Sequence, residues 1–78
     1  MAIPQRPSSV VGANVRAELA RRRLSQSDLA AHLGVSQTAI SKRLSGEVAW
    51  DINELSTVAA FFGLTVEQLV ADPIEHVA

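Results

Sequence analysis

Between residues 24 and 69 the chain repeats one short pattern four times. An apolar residue is followed at once by Ser, Thr or Asp, and a second apolar residue stands five positions after the first. The copies are Leu24-Ser25…Leu29, Val35-Ser36…Ile40, Trp50-Asp51…Leu55 and Leu64-Thr65…Leu69. Each has the spacing of a hydrophobic staple around a helix N-cap. The cap oxygen accepts from a backbone N–H that the first helical turn leaves without a partner, which stabilises a helix start by about 1 kcal/mol. Asp51 with Glu54 and Thr65 with Gln68 have the full capping-box spacing, and Ser25 with Asp28 has a weaker version of it. Starts this close together allow only short helices and short connections. No segment alternates apolar and polar residues, and Gly, Pro and Asn do not cluster into hairpin turns. The fold class is therefore all-α.

Five helices are expected. The first runs from about Ser9 to Arg22, with Val11, Val15 and Leu19 four apart on one face. The second runs from Gln26 to Leu33 and ends at Gly34, and the third from Gln37 to Ser45, ending at Gly46. The fourth runs from Ile52 to Phe62 and ends at Gly63. The fifth covers about Val66 to Ala71, with Pro73 beyond it. In helix 4, Ile52, Leu55, Val58, Ala59 and Phe62 form a core stripe. Trp50 reads as the staple partner of Leu55. Residues 1–8 read as an N-terminal arm, 9–72 as one domain containing a two-helix unit at 26–45, and 73–78 as a tail.

A chain of 78 residues gives one small domain, large enough for a core and too small for a deep substrate cavity. It has no Cys, which excludes disulfides, thiolate metal sites and thiol nucleophiles. No apolar run approaches the roughly 20 residues that span a bilayer, and no signal peptide is visible, so a cytoplasmic protein is expected. Charge is sharply divided. All seven basic residues (Arg6, Arg16, Arg21, Arg22, Arg23, Lys42 and Arg43) fall in the first 46 positions, with only two acids. The remaining positions hold six acids and neither Lys nor Arg. One end of the molecule can meet a polyanion although the net charge is -1.

The stretch from Ser25 to Gly46 carries the chemistry. Two short helices meet through Gly34 and Val35, and Ala30 stands where a small side chain lets their axes approach. This is a helix-turn-helix, whose second helix enters the DNA major groove. At 100° per residue, Ile40 and Leu44 share one side of helix 3, while Thr38, Ser41, Lys42 and Ser45 fall opposite and Gln37 lies at the leading edge. Base-reading candidates are therefore Gln37, Thr38, Ser41 and Lys42. An amide suits adenine, an ammonium suits guanine, and a Thr methyl meets a thymine methyl. Gln26, at the N-terminus of helix 2, is a phosphate-binding candidate. Arg43 on the flank of helix 3, with a surface salt bridge as its alternative, and Arg21, Arg22 and Arg23 at the end of helix 1 are further phosphate candidates. For the triplet, simple capping of the helix C-terminus is an equal alternative. Arg6 can follow the backbone or a minor groove.

The strings LSQSDLAAHLGVSQTAISKRLSGE and DINELSTVAAFFGLTVEQLV resemble the phage lambda repressor/Cro-like helix-turn-helix domains, or Xre family, over roughly residues 11–71. The resemblance implies a compact five-helix DNA-binding domain that regulates transcription, usually as a homodimer on a near-palindromic operator. The family's phosphate-binding Gln falls on Gln26, and its base-reading positions fall on Gln37, Thr38, Ser41 and Lys42. Two positions depart from the family. Arg43 stands where an aromatic or aliphatic residue is common, and Leu19 where an Arg is common. Candidates for a dimer contact are Phe61, Val66, Val70, Ile74 and Val77, with core packing an equal alternative for each.

An enzyme is disfavoured. The only histidines, His32 and His76, stand apart from any Ser/Asp constellation, and there is no Gly-rich phosphate loop, HExxH string or acidic metal cluster. No metal, cofactor or small-molecule substrate is expected, and no helix suits a membrane surface. The expected partners are double-stranded DNA and a second copy of the chain. The alternative is a protein-interaction module, such as an antitoxin or adaptor, on the same fold.

Overall fold

The computed structural model describes residues 7–71, with side chains from Val10 onward. The described residues form α1 (Pro7–Arg21), α2 (Gln26–Leu33), α3 (Gln37–Leu44), α4 (Ile52–Phe62) and α5 (Val66–Val70), with no strand among them. The bounds of α2 and α4 are those expected. α1 begins two residues before Ser9, with Pro7 in its first turn, where a missing N–H is no loss. α3 and α5 each end one residue early. Ser45 is the C-cap of α3 and Ala71 leaves α5 in extended backbone.

All four staple-and-cap starts form. Ser25, Ser36, Asp51 and Thr65 accept from the backbone N–H groups of Asp28, Ala39, Glu54 and Gln68. Three are reciprocal boxes, including Ser25/Asp28, which is complete rather than weak: Asp28 Oδ2 accepts from the Ser25 N–H at 2.7 Å. The staple residues join the core, with Leu29, Ile40 and Leu69 fully buried and Leu24, Val35, Trp50, Leu55 and Leu64 packed partly buried around them. Val15, Val58 and Leu44 complete the fully buried set.

One member of the expected helix 4 stripe is not core. Ile52 is 65% exposed, while Val58, Ala59 and Phe62 are buried. As the first residue of α4, on the edge of its stripe, Ile52 points beyond the layer that the other helices cover.

Helix packing is set by a few small or polar residues. α3 lies against α1 and α2, whereas α4 lies against α2 and α5. Ala30 is buried on α2, which packs against both α3 and α4. Gly12 is the contact point of α1 with the end of α3: a Cβ built there would stand 2.1 Å from the Leu44 carbonyl oxygen. Asn14 Nδ2 donates to the carbonyls of Leu69 at 2.7 Å and Ala71 at 2.9 Å, which fastens α1 to the end of α5. No helix among the described residues is long and apolar enough to cross a membrane.

Candidate nucleic-acid interface

α3 is anchored by Ile40 and Leu44, which are buried at i and i+4. That anchoring turns Gln37, Thr38, Ser41 and Lys42 outward, and all four are exposed. The turn that places α3 across α2 is closed at Gly34, in the left-handed region at φ 72. There the Gly34 N–H donates to Ala31 and the Val35 N–H to Ala30 at 3.0 Å, an arrangement that ends α2 and starts the next staple. Gln37 is partly oriented already, because its Oε1 accepts from Ser27 Oγ at 3.0 Å. Its amide N–H groups stay free to donate, and its oxygen keeps a second lone pair. Lys42 has no ion-pair partner among the described residues. The face thus offers an amide, two hydroxyls and an ammonium, with no acid between them.

Gln26 is the first residue of α2 and is half-buried beside the cap. The Asp28 carboxylate in the same turn is directed at Ser25, whose backbone and side-chain hydrogen bonds hold it below its ordinary pKa. With Ser25 Oγ taking the Asp28 N–H, the N–H groups of Gln26 and Ser27 are those of the first turn without a partner among the described residues, the kind of donor a phosphate can meet.

The arginines divide in a way the sequence did not reveal. Arg43 is not a free flanking cation. Its Nε lies 2.8 and 2.9 Å from the two carboxylate oxygens of Glu54, and its Nη1 donates to the Ala39 carbonyl at 3.1 Å. Arg21 and Arg22 both pair with Glu18. Burial of the Glu18 carboxyl alone would raise its pKa, but the Arg22 hydrogen bond and the charges of both arginines outweigh it and hold it below its ordinary value. Arg22 also donates from Nη2 to the Phe62 carbonyl at 2.7 Å and lies over the Phe62 ring, 4.7 Å from its centre. It therefore caps α4 from outside, and its Nη1 also donates to the Glu18 carbonyl in the last turn of its own helix at 3.2 Å, so the capping alternative is present in part. Arg23 is exposed in the left-handed region at φ 55, in the turn where the Leu24 N–H returns to the Leu19 carbonyl at 2.9 Å. Arg16, which sequence reasoning did not single out, is exposed on α1 with no ion-pair partner among the described residues. Arg6 lies outside the described residues.

The positions where the family departs are both explained by packing. Leu19 is buried in the core cluster, a place that suits an apolar side chain. Arg43 is accommodated because Glu54 faces it. Glu54 and Asn14 were missed in the sequence because their partners lie on other helices, although Glu54 carried a local signal as the N3 residue of a box. Glu18 also carried one, since Arg21 and Arg22 follow it at i+3 and i+4.

Of the dimer candidates, Phe61 is half-buried and its ring lies 4.4 Å from His32 and 5.3 Å from Phe62, centre to centre. Val66 is half-buried against the core, and Val70 is 44% exposed. Ile74 and Val77 lie outside the described residues, as does His76. No group of three or more His, Cys, Asp or Glu among the described residues is placed to hold a metal ion.

A family model described as helix-turn-helix matches residues 15–69 of the chain. Among solved structures the chain is similar to that of the hypothetical transcription factor NHTF from Neisseria, with a TM-score of 0.86 and 23% identity over 99% of this chain and 91% of that one. At that identity the likeness concerns the fold. No curated protein sequence matches the chain.

Proposed function

Since the chain belongs to the helix-turn-helix family of Cro/C1 type, a family of DNA-binding regulators rather than enzymes, we propose that it recognises a specific double-stranded DNA site with α3 in the major groove. The observation that carries this reading is the outward face of α3: Gln37, Thr38, Ser41 and Lys42 exposed together behind buried Ile40 and Leu44. Lys42 and Gln37 read base edges, with Thr38 and Ser41 beside them. Gln26 and the N-terminus of α2 hold a phosphate, with Arg23 as the cation of the basic triplet free to add a second. Arg21, Arg22 and Arg43 are already engaged with Glu18 and Glu54, and on this reading they support the scaffold.

Two copies bind a near-palindromic operator, joined through the end of the molecule that carries α4 and α5. Exposed Val70 and the outer edges of Phe61 and Val66 contribute, and Ile74 and Val77 extend the contact. That arrangement sets the two α3 helices about 34 Å apart, one turn of DNA. Bound over a promoter, such a dimer represses by excluding polymerase, and it acts in the cytoplasm where the genome lies.

Lys42→Ala and Gln26→Ala test the division of labour. Lys42→Ala is expected to weaken binding to the preferred duplex by about 1–3 kcal/mol and to relax the preference at one base pair. Gln26→Ala is expected to weaken binding alike on preferred and scrambled duplexes. An equal loss on both duplexes for Lys42→Ala, or a changed preference for Gln26→Ala, overturns the assignment of that residue.

A further inference from the structure

We propose that Arg43 and Glu54 form a positioning pair that sets the angle at which α3 is presented to DNA, so that Arg43 acts through Glu54 and not on a phosphate. The inference rests on the DNA-binding reading above and deepens it. It starts from an asymmetry in the packing. α3 leans on α1 and α2, while α4 leans on α2 and α5, so the seam between α3 and α4 is lightly packed. Among the described residues, the hydrogen-bonded side-chain link across that seam is this ion pair. The Arg43 guanidinium is tied at both ends, to the Ala39 carbonyl one turn back in α3 at 3.1 Å and to the Glu54 carboxylate at 2.8 and 2.9 Å. The same Glu54 oxygen accepts from the Asp51 N–H at 3.1 Å, and Asp51 Oδ1 accepts from the Glu54 N–H at 2.7 Å. One continuous chain of hydrogen bonds therefore runs from the middle of α3 to the cap of α4.

Both side chains are largely withdrawn from water, at 19% and 15% exposure, so their attraction is screened less than that of an open surface pair. Arg43 stands directly beside Lys42 and two positions from Ser41. A rotation or tilt of α3 that breaks the pair moves Lys42 and Ser41 with it. Contacts to base edges need placement within about 0.5 Å, so a small displacement of α3 is felt in recognition.

The test uses Glu54→Gln in the full chain. Gln still serves as the N3 acceptor of a capping box, so the variant removes the charge partner of Arg43 while keeping the start of α4. Binding to the preferred duplex is expected to weaken about threefold to thirtyfold, with little change on a scrambled duplex. Charge alone predicts the opposite sign, because removing an acid beside a polyanion tightens binding to both. That result overturns the proposal. Arg43→Gln is expected to show the same loss with an unchanged dependence on salt. A slope shallower by about 0.9 marks a lost phosphate contact and also overturns it. Emission from Trp50, the single tryptophan, and helical circular dichroism check that each variant is folded. Should Glu54→Gln fail to fold, Arg43→Gln decides, because it leaves the capping box of α4 intact: a loss confined to the preferred duplex supports positioning, and no loss, or an equal loss on both duplexes, contradicts it. If the unaltered protein prefers no sequence, the DNA reading fails by itself. The pair is then judged from denaturation midpoints, where additive losses in R43Q, E54Q and R43Q/E54Q overturn the link and non-additive losses sustain it.

Discussion

Arg23 holds the left-handed position at the end of α1 that glycine most often fills, at φ 55. An L-residue with a Cβ is disfavoured there by about 1–2 kcal/mol. Arg23→Gly is therefore expected to raise stability by about 1 kcal/mol in chemical denaturation, while its effect on DNA is a shallower salt dependence. A loss of stability would mean that the arginine side chain makes a contact worth more than the strain. At the same scale, Glu18 and Asp28 both have lowered pKa values, Glu18 because its arginine partners outweigh burial and Asp28 because of its hydrogen bonds to Ser25. The unfolded chain takes up these protons at a higher pH than the folded chain does, so acid favours unfolding. Stability is expected to be fully present above the ordinary values of 4.5 and 3.8 and to be lost as pH falls through the lowered ones. Denaturation midpoints measured from neutral pH downward check this, and Glu18→Gln should flatten part of the acid decline. A midpoint that rises on acidification contradicts it.

At the scale of helices, the caps and staples were legible because each is complete within a few residues. Ser36 finds the Ala39 N–H, and Asp51 finds Glu54, whatever the rest of the chain does. The helix-turn-helix and the outward face of α3 were legible for the same reason, since Ile40 and Leu44 fix the rotation of a single short helix. What the sequence hid depends on which helices meet. Asn14 reaches a carbonyl 55 residues away, and Arg22 one 40 residues away. The fate of Arg43 depends on Glu54 across the loop between α3 and α4. Ile52 satisfied the helical period and still lies outside the core, because a period fixes direction and not what waits there.

Gly12 is the sharpest case. Helix propensity alone makes Gly12→Ala stabilising by about 1 kcal/mol. The structure reverses the sign, because the new Cβ would meet a backbone oxygen of Leu44 at 2.1 Å and force α1 and α3 apart. The expected outcome is destabilisation of about 1–3 kcal/mol, read from denaturation. An increase in stability would show that α1 and α3 do not approach this closely.

For the whole molecule, the division of charge along the chain becomes a division of roles. Three of the arginines in the basic part are paired with acids, so the cations left unpaired among the described residues are Arg16, Arg23 and Lys42. On the proposed reading, with so few unpaired cations among the described residues, discrimination between DNA sequences comes from contacts to bases. The competing reading, a protein-interaction module on the same fold, requires no such contacts. Selection of bound sequences from a random duplex library at two salt concentrations separates the two most directly. A recovered near-palindrome, with half-sites about one turn apart and binding that weakens as salt rises, is the predicted result. No enriched sequence, with weak binding at both salt concentrations, would contradict sequence-specific recognition by α3.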